Sequence, residues 1–172
     1  MRRPLRVLTA VVLAACALTA CGRPQSTVRD LPTGQLSKDA YVQAFEISAE
    51  GLAQRYGVGK ESGAPAVQQE RRVTGLQRLL RAWADRLQGL RPPPEAARAQ
   101  ARFVAGVRGF AADLEQARAA LRRGDGRGAA ALLRTGRIVS ARTRADLVAG
   151  RRAFHALGYD IHNLDKAPVE TP

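Results

Sequence analysis

Apolar side chains recur along most of this chain at alternating intervals of three and four, the period of a helix with one buried face. The clearest run is Val73, Leu76, Leu80, Trp83, Leu87 and Leu90, spaced 3, 4, 3, 4 and 3, which predicts a helix over 66–90. Before it, Tyr41, Phe45, Ser48, Leu52 and Tyr56 predict a first helix over 37–56. Ser37 suits its N-cap, Asp39 favours the positive end of the helix dipole, and Leu36 and Tyr41 hold the hydrophobic-staple positions. The glycine-rich run 57–65 ends that helix. Pro92, Pro93 and Pro94 stop the second helix and can open a third over 95–123. Its stripe is Ala96, Ala99, Phe103, Val107, Phe110, Leu114, Ala117 and Leu121. Gly124-Asp125-Gly126 makes a turn, with Asp125 as cap, and a fourth helix is predicted over 127–157. It would carry Leu132, Gly136, Val139, Thr143, Leu147, Gly150, Phe154 and Leu157 inward, with Gly158 as a left-handed cap and Tyr159 packing back. No segment alternates with period two over a useful length. The expected fold is all-α, an antiparallel up-down four-helix bundle over 37–162, followed by a polar tail, 163–172.

The amino terminus follows a different logic. Arg2, Arg3 and Arg6 precede an uncharged, largely apolar run, Val7 to Ala20, of 14 residues. A helix spanning a bilayer needs roughly 20 apolar residues, so the run fits a secretory signal peptide better. Its exit, Leu18-Thr19-Ala20-Cys21 followed by Gly22, resembles the lipobox of bacterial lipoproteins. That resemblance implies removal of residues 1–20 and a diacylglyceryl thioether on Cys21. It also implies further acylation of palmitate type and attachment to the extracytoplasmic side of the cell membrane. The alternatives are an uncleaved anchor, or ordinary cleavage beside an unmodified Cys21. Residues 21–36, with Gly22, Pro24, Ser26, Pro32 and Gly34, read as a tether, roughly 20 Å from end to end as a flexible chain. Cys16 would leave with the signal peptide. Residues 22–172 hold no thiol, which excludes disulfides, thiol catalysis and thiolate metal ligation there.

Charge changes the picture next. The 172 residues carry 28 basic and 15 acidic side chains, a net of +13, and removal of the signal peptide leaves +10. Residues 66–158 alone sum to +12, residues 21–65 to zero and the tail 159–172 to −2. Arginine outnumbers lysine 25 to 3, and alanine, glycine and proline are frequent, as in proteins of G+C-rich genomes. Such drift explains arginine in place of lysine, and it accounts for Gly75, Gly89, Gly106, Gly109, Gly136 and Gly150 inside the predicted helices. Close helix contact is the other reading of these glycines. Drift does not explain why acids are few. Set at 100° per residue, Arg127, Arg134, Arg137, Arg144, Arg151 and Arg152, with Arg142, fall on one half of the fourth helix as a candidate anion-facing surface. Ile138 and Val148 fall on the same side and read as isolated exposed aliphatics.

Catalytic signals are weak. His155 and His162 are separated by Gly158, with Tyr159, Asp160 and Asp165 near, and read as a surface residue and a helix-end residue before a metal site. The predicted core stripes contain no acid, so no metal centre or cofactor is expected. Ser37, Ser48, Ser62 and Ser140 lack a nucleophile motif, and Gly57-Val58-Gly59-Lys60 follows a helix where a phosphate loop follows a strand. The aromatic residues lie mostly on helix stripes, so base stacking, and nucleic acid as a partner, are not expected.

The chain also resembles small uncharacterised helical lipoproteins of high-G+C bacteria. The likeness rests on the lipobox, the short tether, Leu36-Ser37-Lys38-Asp39-Ala40-Tyr41, the proline-broken helices and the ending Gly158-Tyr159-Asp160-Ile161. Members of that group often keep a cysteine in the first helix, where Ser48 stands here, and the resemblance implies no activity. The functional reading is a membrane-anchored, non-catalytic interaction module whose basic surface meets anionic headgroups or an acidic partner. A carrier of a small apolar ligand, housed beside the small stripe residues, is the alternative, and an enzyme is remote.

Overall fold

The computed structural model describes residues 34–55, 64–162 and 164, without the side chains of 50, 51 and 53–55. The expected signal peptide, Cys16, Cys21, most of the expected tether, Tyr56, most of the glycine-rich run and nearly all of the tail lie outside the described residues. The chain divides into two units, Met1–Asp30 and Leu31–Pro172, and the helices below belong to the second.

The domain is all-α. Helix α1 spans Lys38–Arg55, α2 Ala66–Gly89, α3 Ala97–Asp113, α4 Glu115–Arg122, α5 Gly126–Arg134 and α6 Ala141–Ala156. Ser37 opens α1, its hydroxyl accepting from the Ala40 amide at 3.3 Å. Helix α2 ends where Pro92 to Pro94 follow, and a 3-10 turn, Pro94–Ala96, leads into α3. The helix predicted over 95–123 is thus a turn and two helices, interrupted at Leu114, which keeps helical dihedrals of −59° and −16°.

The helix predicted over 127–157 is a correction. It is two helices, α5 and α6, parted by Thr135–Ser140. Gly136 takes φ +64°, the left-handed conformation that stops a helix. Ser140 restarts one, its hydroxyl accepting from the Thr143 amide at 3.2 Å. The helical phase is reset across this connection, so Ile138, expected on the exposed side, is only 2% exposed, and Val148 is half-buried.

Six of the seven aromatic residues among the described residues form one cluster in the core. Tyr41 and Phe45 come from α1, Trp83 from α2, Phe103 from α3 and Phe154 from α6, with Tyr159 just beyond. Ring centroids lie 5.5 to 6.5 Å apart, mostly edge to face, a geometry worth about 0.5–1.5 kcal/mol per pair beyond burial. The Trp83 indole donates to Ser48 Oγ at 3.0 Å, and Ser48 donates to the Phe45 carbonyl at 2.6 Å, so the buried indole is satisfied. Gln100 on α3 donates to the Leu87 and Leu90 carbonyls at the end of α2, where Leu87 also accepts from the Leu90 amide and Leu90 lies past the last helical turn. At the other end of the same pair, Gln77 donates to the Ala111 carbonyl at 2.9 Å.

Helices α3 and α6 meet through glycine. A Cβ on Gly106 would lie 2.6 Å from Leu147 Cγ, and one on Gly150 would lie 2.7 Å from the Phe103 nitrogen. Gly109 is as closely met by Thr143. Composition therefore does not account for these three glycines, nor for Gly136, whereas Gly75 and Gly89 have open space around them.

The two buried tyrosines carry a pH consequence. Burial, aided by the Glu95 carboxylate that accepts from its hydroxyl at 3.1 Å, pushes Tyr159 up to about 12 from 10. Burial, and then the neighbouring Tyr159, raise Tyr41 further. A folded-state pKa above the unfolded one gives stability that is complete below the unfolded value and is lost as pH rises through the folded one. Denaturant melts should therefore show stability level from neutral pH up to about pH 10 and falling between pH 10 and 12. In parallel, Gly150→Ala should cost about 1–3 kcal/mol by overpacking, while Gly75→Ala should add up to about 1 kcal/mol. Urea melts of both variants check this contrast.

Candidate functional site

The acids of the described residues are largely engaged inside the molecule. Glu70 of α2 and Glu115 of α4 face Arg118 and Arg122 of α4, at distances from 2.6 to 3.8 Å. Arg118 also donates to the Gln77 side chain at 3.2 Å, which ties α4 to α2. The hydrogen bond from Arg122, with the charges of Arg118 and Arg122 beside it, holds the Glu115 carboxyl below the usual carboxylate range. Asp85 pairs with Arg108 at 2.7 Å and Asp146 with Arg102 at 3.7 Å. Asp113 accepts from the Ser140 amide and Asp125 from the Gly128 amide, at 2.8 and 2.7 Å. Glu95 receives Tyr159, and Glu46 receives His162 through its amide at 3.2 Å and faces its Nδ1 at 3.3 Å.

What remains is positive and concentrated. Residues 122–144 hold seven arginines and one acid, Asp125, a net of +6. Arg122 belongs to the cluster with Glu70 and Glu115. Arg123, Arg127, Arg134, Arg137, Arg142 and Arg144 are exposed. None of these six has an ion pair among the described residues.

Local structure explains this concentration. Gly124, at φ +80°, turns the chain after α4, Asp125 caps α5, and α5 packs on α4 through buried Ala129 and half-buried Leu132. Gly136 and Ser140 then turn the chain into α6. The Asp113–Ser140 bond places the start of α6 at the end of α3, so α4, α5 and the start of α6 share one end of the domain.

The predicted single face is therefore redistributed. Arg127 and Arg134 lie on α5, Arg137 in the connection, and Arg144, Arg151 and Arg152 on α6. Arg151 and Arg152 stand in the half of α6 nearer Phe154, away from the arginine-rich end, and Arg151 is half-buried. Sequence reasoning missed Arg123 and the turn itself. Two signals were there to find it: a glycine two residues after Arg134, and a serine at 140 ahead of a new apolar run. His155 is exposed on α6, and His162 lies at Glu46 and Asp160. Among the described residues no group of three or more histidine, cysteine, aspartate or glutamate side chains could hold a metal ion.

Asp125 supports the whole arginine-bearing hairpin. Asp125→Ala should cost about 1 kcal/mol, as loss of an N-cap does. Amide exchange should accelerate in α5 before it does in α2 or α3. Uniform acceleration would instead mean that α5 does not open on its own.

No family model matches this chain, and neither the curated proteins nor the solved structures contain a match to it.

Proposed function

We propose that this chain is a lipid-anchored, non-catalytic protein of the cell envelope. In this reading it is cleaved ahead of Cys21, acylated there and held at the extracytoplasmic face of the membrane. Its longest helices, α1, α2, α3 and α6, work as an antiparallel up-down bundle. Its arginine surface meets anionic headgroups or an acidic partner. The anchor is supported by the likeness of Leu18 to Cys21 to a lipobox. No helix among the described residues is long and apolar enough to cross a membrane.

The observation that carries the binding role is the unequal use of charge. Most described acids are engaged by an arginine, a backbone amide, a tyrosine or a histidine, while the arginines of residues 123–144 project into solvent. Clustered like charge of this kind lowers folded stability through self-repulsion and favours an anionic partner. The carrier alternative drew on small residues leaving room between helices. Gly106, Gly109 and Gly150 are instead met by Leu147, Thr143 and Phe103, which favours the binding role.

Two measurements test this. Expressed in a bacterial host with labelled palmitate, the full chain should take up label and Cys21→Ala should not; equal labelling of both would contradict the anchor. The unit beginning at Leu31 should bind phosphatidylglycerol vesicles at least about tenfold more tightly than phosphatidylcholine vesicles, since basic residues near an anionic surface contribute about 1 kcal/mol each. The difference should shrink as salt rises. Equal binding to both would contradict a headgroup-directed surface.

A further inference from the structure

We infer that the arginine-rich end formed by α4, α5 and the start of α6 is a docking surface for an acidic, amphipathic protein segment. This rests on the anion-binding role proposed above and narrows it to one place and one occupant.

Two observations select the occupant. The first is the exposed stripe of α5. Arg127, Ala130, Leu133 and Arg134 all face solvent, and Leu133 is 39% exposed between the charges. Opposite them, Ala129 and Leu132 hold α5 to the domain. An apolar residue flanked by arginines complements a segment that carries both carboxylates and an apolar side chain. A purely anionic polymer would leave Leu133 without a partner.

The second observation is position. The chain enters the domain at Leu36, buried at 7% exposure, whose amide donates to the Arg91 carbonyl at 3.0 Å. Arg91 follows α2 and precedes α3, so Leu36 sits where α3 begins. The arginine-rich end sits where α3 finishes, beside Asp113. The two are separated by the length of α3, roughly 25 Å at helical rise. The described part of the domain thus begins at one end and offers the arginines at the other. That separation leaves the arginine-rich end clear of the described entry segment at Leu36, where a partner segment has room to lie.

The test uses the full chain in neutral detergent micelles and a fluorescein-labelled peptide that interleaves glutamates with leucines, followed by anisotropy. Arg127→Gln, Arg134→Gln and Arg137→Gln combined should weaken binding by about tenfold or more, as the loss of three exposed charge pairs allows. Leu133→Ser should weaken it severalfold. Arg81→Gln, Arg86→Gln and Arg98→Gln, an exposed set outside this end, should change it less than twofold. Thermal melts establish that each variant folds. Equal losses from the two arginine sets would leave anion binding standing and overturn the docking surface. Polyglutamate binding as tightly as the mixed peptide, with Leu133→Ser neutral, would overturn the amphipathic occupant. Micelles doped with phosphatidylglycerol that bind as tightly as the mixed peptide, with Leu133→Ser neutral, would assign the surface to headgroups in place of a protein segment. Failure to bind any of the three anions would overturn both the docking surface and the broader role.

Discussion

The indole of Trp83 meets the ring of Phe45 edge to face at 6.2 Å, and the four longest helices come together around that contact. Phe103 and Phe154 complete the junction between α3 and α6, and Tyr41 and Tyr159 extend it to the end where the chain enters. The protein is only 5% aromatic, so most of its large side chains are committed to one place. The rest of the core is chiefly alanine, leucine and valine. Glycine at 106, 109 and 150 lets α3 and α6 approach closely enough for that small-residue core to be filled. Helix α5 contributes nothing to the aromatic cluster and rests on α4 through small contacts. Its attachment is therefore the more easily opened part of the domain.

The same economy governs the polar groups. Acids are few, and most of them hold the fold together. Glu70 binds α2 to Arg118 and Arg122 of α4, Glu115 holds those two arginines within α4, Asp113 and Asp125 satisfy amides at helix starts, and Glu95 receives Tyr159. Where helices pack on each other, arginines near acids are drawn into these contacts. On the outer faces of α5 and the start of α6 few acids are present, and the arginines face water. The basic end is thus a by-product of how the core is held as well as a surface suited to an anion.

The sequence was most informative where periodicity and breaker residues agreed. The stripe from Val73 to Leu90 and the prolines after it set the length of α2, and Ser37, Asp125 and Gly158 cap helices as their types suggest. It misled at Gly136, because that glycine falls in register with the apolar stripe and reads as a small core residue. Only its positive φ makes it a stop. The error carried into the candidate site, since one helical phase was applied across 127–157 and turned Ile138 outward. Glycine identity likewise could not separate Gly75, in open space, from Gly150, against Phe103, because that depends on the helix lying opposite.

The most direct measurement of the central claim, that the arginines left unpaired by the core form the binding end, is a two-dimensional NMR titration of the arginine Nε–H groups with the acidic amphipathic peptide. Arg127, Arg134, Arg137 and Arg144 should shift together and saturate at one peptide concentration, while Arg108 and Arg118, held by Asp85 and Glu115, stay in place. Shifts spread evenly over all exposed arginines, or absent from residues 123–144, would contradict it.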